Sequence, residues 1–470
     1  MRYYLDPYGC VKNQVDAETM MAYLNRSGWI ASEDAAEADI IIINSCGFIE
    51  KAKQESINAV LAYRKLYPNK KIVLAGCLAQ RYAQDLSESL TEADLLFGNR
   101  DLSKITEAAS LAIQGSQKSL VPNPPRYEPG NPSLHFPHSS FFGNRPLLSL
   151  PGSAYIKISE GCNNRCTFCS IPLIRGPLIS RGVPQVVQEC RELLARGIRE
   201  LCLIGQDLGS YGIDGIAEAG NGSLYNGSLL PELLEALSLL EGAFWVRLLY
   251  IHPDNFPLSI LEIIRRDSRF LPYFDIPFQH GSATMLRAMN RRGTAESYLT
   301  LLENIRTVLP DATIRSTFLT GFPGETDGDF QALLDFQDKA RLDWVGCFTY
   351  SREEGTPAYA MKPRVPKGIA KERKAIIEER QIPITENQMD RFIGRTMDVL
   401  VEERFQLEPE APGGGLYLGR LDCQAPEVDG AAVINSDRVL HLGSWIRGKV
   451  FARAGFDLEV NGLDDIKELR

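Results

Sequence analysis

The stretch Ser159–Ser170, SEGCNNRCTFCS, decides the fold of this chain, because it places three cysteines within eight residues. They are Cys162, Cys166 and Cys169. Thiolates this close together can bind three of the four irons of a cubane iron–sulfur cluster. The fourth iron is then open to a small molecule with amino and carboxylate groups, as the open position of a catalytic zinc accepts water.

A structural zinc site is the alternative for these three cysteines. Such sites are almost always four-coordinate. A fourth cysteine or histidine would have to lie nearby, yet the next histidine along the chain is His252. The spacing therefore favours a cluster with one open iron over a zinc knuckle.

The composition is typical of a soluble globular protein with two or three domains. The chain has 470 residues, 44% hydrophobic and 24% charged, and chains beyond about 250–300 residues usually form several domains. Its net charge of −9 does not favour electrostatic attraction to nucleic acid. We find no signal peptide and no apolar run approaching the about 18 residues of a membrane span. We therefore expect a cytoplasmic protein with no membrane partner.

Residues 1–112 alternate strand and helix patterns, which predicts an open parallel sheet with helices on both faces. A cysteine with a glycine beside it follows each of three predicted strands. The cysteines are Cys10, Cys46 and Cys77, and the glycines are Gly9, Gly47 and Gly76. Loops at the carboxyl ends of parallel strands share one rim, so we expect these cysteines to meet although 36 and 31 residues separate them. The glycines fit backbone that lies close to a bulky cofactor; the alternative is three buried structural cysteines.

The rest of the chain divides into four further segments. Residues 113–153 contain eight prolines and are predicted to be a linker or surface loop. Residues 154–366 show six strand–helix units, which suit a partial α/β barrel with its chemistry at the carboxyl ends of the strands. A charged, solvated helical linker is predicted at 367–391. Residues 392–470 show short strands separated by turns, which predicts a small β-barrel.

The two cysteine groups together resemble those of the methylthiotransferases of the radical S-adenosylmethionine (SAM) superfamily. The similar segments run nearly end to end: YGCVKNQVDAE, NSCGFIEKAKQES, GCLAQRY, CNNRCTFC, DIPFQHG, RSTFLTGFPGE and about the last 80 residues, which resemble a TRAM domain. This resemblance implies two 4Fe-4S clusters. An auxiliary cluster would be held by Cys10, Cys46 and Cys77, and the radical SAM cluster by Cys162, Cys166 and Cys169.

The chemistry implied by the resemblance explains the need for two clusters. No side chain is basic enough to replace a hydrogen on an unactivated carbon by acid–base catalysis, so cofactors carry the hard step. In the family's scheme the core cluster reduces and cleaves SAM, and the resulting radical takes a hydrogen from the substrate. The auxiliary cluster then delivers sulfur, with a methyl group from another SAM. This scheme requires an external electron donor and a sulfur donor as partners.

Three polar residues at predicted strand ends are candidates for holding SAM. They are Gln206, Gln279 and Arg315, which we expect to face the cysteine loop at the rim of the partial barrel. Each can instead be an ordinary rim residue.

The family has one branch that modifies an adenosine of tRNA and another that modifies an aspartate of small-subunit ribosomal protein twelve. Five segments resemble the protein branch: VKNQVD, GFIEKAKQES, QDLGSYG, VGCFTYSREEGT and APEVDG. Tyr8 and Gly205 are closer to the tRNA branch. Acidic residues outnumber basic ones from Met389 to Arg470, which suits a basic ribosomal protein better than tRNA.

The sequence thus predicts methylthiolation of the β-carbon of an aspartate in small-subunit ribosomal protein twelve. The nearest alternative is a tRNA adenosine C2-methylthiotransferase. An alternative of another class is a non-enzymatic iron–sulfur carrier or redox sensor, which needs the cysteines and no SAM site.

Overall fold

The fold is described from a computed structural model, for residues 1–116, 118–121, 143–215, 227–405 and 414–465. It consists of an N-terminal parallel sheet, a middle parallel sheet and a C-terminal closed barrel. The predicted α/β architecture with an appended small β-barrel is confirmed. Most of the predicted proline-rich linker lies outside the described residues.

The N-terminal sheet has six strands. They are β1 (Arg2–Pro7), β2 (Ile30–Ala31), β3 (Ile40–Ser45), β4 (Lys71–Gly76), β5 (Leu95–Phe97) and β6 (Ser119–Leu120). Its helices are α1 (Val11–Arg26), α2 (Glu50–Leu66), α3 (Cys77–Arg81), α4 (Ala83–Ser89) and α5 (Ile105–Gln114). The strand order is β2-β1-β3-β4-β5-β6, and all neighbours are parallel. Every residue of β3 is buried, as expected of a central strand covered on both faces.

The region of the middle sheet contains the three-cysteine segment Ser159–Ser170. Its region contains β7 (Ser153–Lys157), β8 (Ser159–Glu160), β9 (Ile179–Ser180), β10 (Glu200–Ile204), β11 (Trp245–Leu248), β12 (Phe270–Asp275), β13 (Thr313–Thr320) and β14 (Trp344–Thr349). Its helices are α6 (Ile171–Ile174), α7 (Val183–Ala195), α8 (Leu230–Ser238), α9 (Ile260–Arg266), α10 (Ala283–Ala288), α11 (Ala295–Val308) and α12 (Asp327–Ala340). The order β14-β13-β12-β11-β10-β7 follows the chain, and neighbours are parallel. These are the six strands predicted for a partial barrel, and β8 and β9 form a separate antiparallel pair.

The two faces of the middle sheet belong to different cores, because successive side chains of a strand point to opposite faces. Leu203 and Phe318 lie in the core beneath the surrounding helices. Cys202, Trp245 and Tyr273 lie in a second core that continues into the C-terminal barrel. The inner face of the partial barrel is therefore packed at one end by another part of the chain.

The C-terminal barrel closes the end of the middle sheet where its strands begin. It contains β15 (Thr396–Phe405), β16 (Gly415–Arg420), β17 (Ala432–Ser436), β18 (Trp445–Ala454) and β19 (Asp457–Asp465), in the closed order β15-β16-β17-β19-β18. The ring of Trp245, the first residue of β11, lies 5.3 Å from the ring of Trp445. Glu200, the first residue of β10, is paired with both Arg247 and Arg420. The cysteine loops are thus at the opposite, carboxyl end of the strands.

Helix α13 (Lys367–Asp390) precedes the barrel and is not the solvated linker that its charge suggested. Its side toward β13 and β14 is buried, including Ala370, Ile377 and Met389. The Gln381 side chain donates to the carbonyl oxygen of Leu342 at 2.9 Å. The expectation was wrong because most of the charged residues occupy the other sides of the helix, while the buried Arg373 pairs with Glu325 and Asp327. Among the described residues, neither α13 nor any other helix combines the length and the apolar character needed to cross a bilayer.

Candidate active site

The N-terminal sheet carries three cysteines on loops that leave one edge of the sheet. Cys10 follows β1, Cys46 follows β3, and Cys77 begins α3 directly after β4. The loops touch: a Cβ on Gly9 would lie 3.3 Å from the Cys46 Sγ, and one on Gly47 would lie 2.7 Å from the Cys77 carbonyl oxygen. The structure therefore brings together three cysteines that are far apart in sequence. We refer to them as the dispersed group.

The glycines beside these cysteines allow the loops to pack against one another. Gly9 has φ +100° and Gly76 has φ +95°, conformations that glycine adopts without strain. A Cβ on Gly76 would lie 2.5 Å from the Asn44 side-chain oxygen. The sequence interpretation attributed these glycines to a nearby cofactor, whereas their close contacts in the structure are between loops.

Cys162, Cys166 and Cys169, here called the contiguous group, lie on the loop between β8 and α6. The Cys162 N–H donates to the carbonyl oxygen of Gly176 at 3.3 Å, and the Cys169 N–H donates to that of Cys166 at 3.0 Å. Gly161 has φ +72°, and a Cβ there would lie 2.0 Å from a carbonyl oxygen of the returning chain. Contacts within the segment therefore shape this loop, and backbone hydrogen bonds from Thr167 to Met289 and from Ala358 to Thr167 hold it against the rest of the middle region.

Both groups fit a cluster with several irons. Burial raises the pKa of the Cys46, Cys162 and Cys169 thiols to about 12, so each keeps its proton unless a cation replaces it. No three His, Cys, Asp or Glu side chains in the described ranges converge on a point suited to a single ion. Thiolates that bind different irons of a cubane need not converge in this way. The donor set suits an iron–sulfur cluster, and the ligand roles of the six cysteines stay a prediction.

Arg175 connects the two cysteine groups. It lies directly after α6, six residues beyond Cys169, and its side chain is 3% exposed. Its Nη2 donates to the Cys77 Sγ at 3.1 Å and to the Asn13 side-chain oxygen at 2.5 Å. Its Nη1 donates to Asp16 at 2.6 Å. A side chain from the contiguous segment thus touches a sulfur of the dispersed group.

The dispersed group also faces the carboxyl ends of the middle strands. The ammonium of Lys12, two residues after Cys10, lies 3.0 Å from the centre of the Tyr250 ring, just beyond β11. Burial lowers the pKa of Lys12 to about 8, while charges on Cys10 and on Asp275, the last residue of β12, oppose this shift. We call the space between Cys10, Arg175, Tyr250 and Asp275 the chamber. Both sheets contribute to its wall.

A buried network of charges forms the part of that wall nearest the contiguous group. Lys157, the last residue of β7, contacts Asp16 at 2.5 Å and Glu160 at 2.6 Å. Burial alone would raise the pKa of Glu160, but Arg175 and Lys157 together lower it to about 2. Gln206 donates to Glu160 at 3.1 Å. Two cations and two carboxylates are thereby held in contact between the two sheets.

The predicted SAM contacts Gln206 and Gln279 lie beyond the ends of two strands. Gln206 follows β10, and its Oε1 is buried without a hydrogen-bond partner among the described residues. Gln279 follows β12 and has φ +70°, with its backbone held at 2.8 Å by both Thr317 and Leu319. Both therefore occupy the rim positions that the sequence suggested, and their role toward SAM stays a prediction.

Arg315 lies deeper than its assignment to a strand end implied. It is the third residue of β13, which continues to Thr320. Its guanidinium lies 3.4 Å from Asp275 and 3.5 Å from Asp429 of the C-terminal barrel. Tyr273 donates to the same Asp429 at 2.6 Å. Arg315 thus joins the inside of the partial barrel to the C-terminal barrel, and its contact with SAM remains a prediction.

The sequence analysis missed Arg175, Lys12, Asp16 and Glu160. Lys12, Asp16 and Glu160 lie in segments that contain the cysteines, and Arg175 lies six residues beyond Cys169, yet a single charged residue has no spacing that assigns it a partner. The available signal was adjacency to the cysteines, since Lys12 and Glu160 each lie two residues from one.

Three family profiles match successive parts of the chain. The family described as "Uncharacterized protein family UPF0004" matches residues 2–98, the radical SAM superfamily matches residues 156–336, and the TRAM domain matches residues 393–461. The two cysteine groups fall in the first and second of these ranges.

Several curated proteins resemble the chain over nearly its whole length. "Ribosomal protein uS12 methylthiotransferase RimO" of Treponema denticola is 45% identical, covering 97% of this chain and 99% of its own length. The protein of the same name from Carboxydothermus hydrogenoformans is 37% identical, covering 99% of this chain and 100% of its own. The protein of the same name from Moorella thermoacetica is 39% identical, covering 91% of this chain and 92% of its own length.

A solved structure shares the fold. The radical SAM methyltransferase TsrM from Kitasatospora setae, with tryptophan and a SAM analogue bound, has a TM-score of 0.52 and covers 76% of this chain and 74% of its own. It is 16% identical, so the likeness concerns the fold alone.

Proposed function

The chain belongs to the RimO family of radical SAM methylthiotransferases, and from this premise we propose that it attaches a methylthio group to the β-carbon of an aspartate in ribosomal protein uS12. Membership of the superfamily implies the use of SAM and a 4Fe-4S cluster. A second cluster, the identity of the modified atom, and the electron and sulfur donors belong to the proposal.

The contiguous group would hold the radical SAM cluster and the dispersed group the auxiliary cluster. When bound, these clusters supply the electron that cleaves SAM and the sulfur that enters the product. The observation that supports the proposal most directly is the contact between Arg175 and the Cys77 sulfur, because Arg175 follows Cys169 by six residues and so links the two cysteine segments. Sulfur transfer between two sites requires this proximity.

The chain's own residues would bind and orient SAM at the rim of the middle sheet. The unpartnered Oε1 of Gln206 is suited to accept a hydrogen bond from an amino group, since buried acceptors are normally paired. Its amide nitrogen is fixed by Glu160, which sets the direction of that oxygen. Gln279 and Arg315 remain further candidates for SAM contacts.

The surface of the C-terminal barrel supports a protein substrate over tRNA. Three arginines at its surface are occupied by carboxylates: Arg395 pairs with Asp311, Arg447 with Asp398, and Arg453 with both Glu386 and Asp390. Binding of tRNA relies on cations that are free to contact phosphates. An acidic barrel with paired arginines is instead complementary to a basic ribosomal protein.

Parallel incubations test the proposal. Anaerobically reconstituted protein is mixed with SAM, reductant and either uS12 or tRNA, and the products are analysed by mass spectrometry. We expect a methylthio gain on an aspartate of uS12. A gain on tRNA alone would overturn the choice of substrate, and the absence of 5'-deoxyadenosine with either substrate would leave only a carrier or sensor role.

A further inference from the structure

We propose that Arg175 is a positioning residue that raises the reduction potential of the cluster held by Cys10, Cys46 and Cys77, through its hydrogen bond to the Cys77 sulfur. This inference rests on the proposed function, in which the dispersed group holds a cluster. It adds a role for a residue that lies in the other cysteine segment.

Two N–H donors point at the same sulfur. The Arg175 Nη2 lies 3.1 Å from the Cys77 Sγ, and the Asn99 Nδ2 lies 3.4 Å from it. Both residues are buried. Hydrogen bonds to the sulfurs of a cluster are among the factors that set its potential. They stabilise the reduced form more, because it carries one more negative charge.

The charge of Arg175 acts in the same direction. A cation beside an anionic group stabilises it most where water is excluded. Two carboxylates, of Asp16 and Glu160, also contact the guanidinium, but Lys157 shares both of them. These four charges cancel overall, so Arg175 acts on the Cys77 sulfur through the short distance of its own N–H and charge rather than through a net positive network.

The position of the guanidinium is fixed from several sides. The Arg175 N–H donates to the Ile171 carbonyl oxygen at 2.7 Å, which ties its backbone to α6. Arg100 of the N-terminal sheet donates to the Leu173 carbonyl oxygen at 3.1 Å. The planar fork of an arginine reaches the sulfur, Asn13 and Asp16 at once, which the single ammonium of a lysine cannot reproduce.

The test isolates the auxiliary cluster. In the full-length chain, replacing Cys162, Cys166 and Cys169 by Ala leaves the dispersed group to bind about four irons. Arg175→Lys is then introduced into this parent, and the reduction potential is measured by a redox titration followed by electron paramagnetic resonance. We expect a more negative potential and a changed spectrum, although the formal charge is kept.

Two further variants separate this effect from packing. Asn99→Leu removes the other donor to Cys77 and should shift the potential in the same direction by a smaller amount. Arg181→Lys is the matched control, because Arg181 is equally buried and its guanidinium pairs with Glu189 and with the carbonyl oxygen of Lys157 rather than with Cys77. The cluster of Arg181→Lys should have the same reduction potential as that of the parent.

The outcomes distinguish this inference from the proposed function. A parent that binds no iron would overturn the auxiliary cluster, and this inference with it. If the parent binds iron and Arg175→Lys has the same reduction potential as the parent, only the inference is overturned. The same holds if Arg181→Lys shifts the potential as much as Arg175→Lys does. If the Arg175→Lys variant binds no iron, its potential cannot be measured and Asn99→Leu becomes the deciding variant. An unchanged potential in Asn99→Leu then overturns the inference.

Discussion

Arg175 links the two cysteine groups, yet the chain builds them in opposite ways. The contiguous group comes from a single loop in which the N–H groups of Cys162 and Cys169 bond within the same segment, although Thr167 also bonds to the backbone of Met289 and Ala358. The dispersed group comes from three strands of one sheet, so its geometry exists only when that sheet is folded. A local site therefore leaves a spacing in the sequence, whereas a dispersed site is visible only through topology. It also follows that the two groups should respond differently to substitution.

Removing each group in turn should give the largest effect. Replacing the contiguous cysteines by Ala should abolish both 5'-deoxyadenosine and methylthiolated uS12, because SAM is no longer cleaved. Replacing the dispersed cysteines by Ala should abolish only the methylthiolated product. Iron analysis should fall from about eight to about four atoms per chain in either case. Methylthiolation that persists without the dispersed cysteines would show that the two groups do not have separate tasks.

Added methyl groups should damage the two groups separately. In Gly161→Ala the new Cβ meets a carbonyl oxygen at 2.0 Å, so we expect loss of iron from the contiguous group and about 1–3 kcal/mol of stability. Gly47→Ala should act on the dispersed group instead, through the Cys77 carbonyl. Urea unfolding and iron content are the measurements. Gly176→Ala is the control: it shares a positive φ but has open space around it, so its iron should be retained.

A buried ion pair between the sheets should matter more to the dispersed group. Glu353, after β14, is 2.7 Å from Arg81 and 3.1 Å from Lys53 of the N-terminal sheet. Glu353→Gln leaves Arg81 without its carboxylate and leaves Lys53 with only the exposed Glu50, and breaking a buried pair costs about 3 kcal/mol. Denaturant unfolding should show this loss, with iron released from the dispersed group first. The neighbouring Glu354→Gln, on an exposed side chain, should unfold like the wild type.

The same pair predicts a pH dependence. Burial alone would raise the pKa of Glu353, but hydrogen bonds from Ser351, Arg81 and Lys53 lower it overall below the ordinary value of 4.5. A lowered pKa gives stability that is fully present above 4.5 and is lost as the pH falls through the folded-state pKa. The stability difference between wild type and Glu353→Gln should therefore shrink below pH 4.5. A difference that grows on acidification would contradict the assignment.

The smallest effect is expected at Gln206. Loss of one hydrogen bond to SAM costs about 1 kcal/mol, or about fivefold in affinity. Calorimetry on reconstituted Gln206→Ala should show this weakening with both clusters retained. Gln188→Ala, on the exposed side of α7, serves as the control. Unchanged affinity would mean that Gln206 only supports Glu160.

Much of the fold could be predicted from periodicity, and the limits of that prediction have physical causes. The six middle strands each had a long enough pattern, whereas β2, β5 and β6 have only two or three residues. Cys10, Cys46 and Cys77 could be brought together because parallel strands place their carboxyl ends on one rim. Arg175 could not be assigned, since its partner Cys77 lies 98 residues away in another sheet. The burial of helix α13 was not predicted, because its many charged residues outnumber the buried positions, such as Ile377, Gln381 and Thr385, which recur every four residues.

The shared core beneath the partial barrel bears on how the chain can be dissected. Trp245 packs on Trp445, and Glu200 pairs with Arg420. A truncation before residue 392 would therefore expose Trp245 and leave the buried Glu200 carboxylate without Arg420. Such a fragment would aggregate before it could report on substrate choice. Substrate recognition by the C-terminal barrel is better examined with surface charge reversals that leave these buried contacts intact.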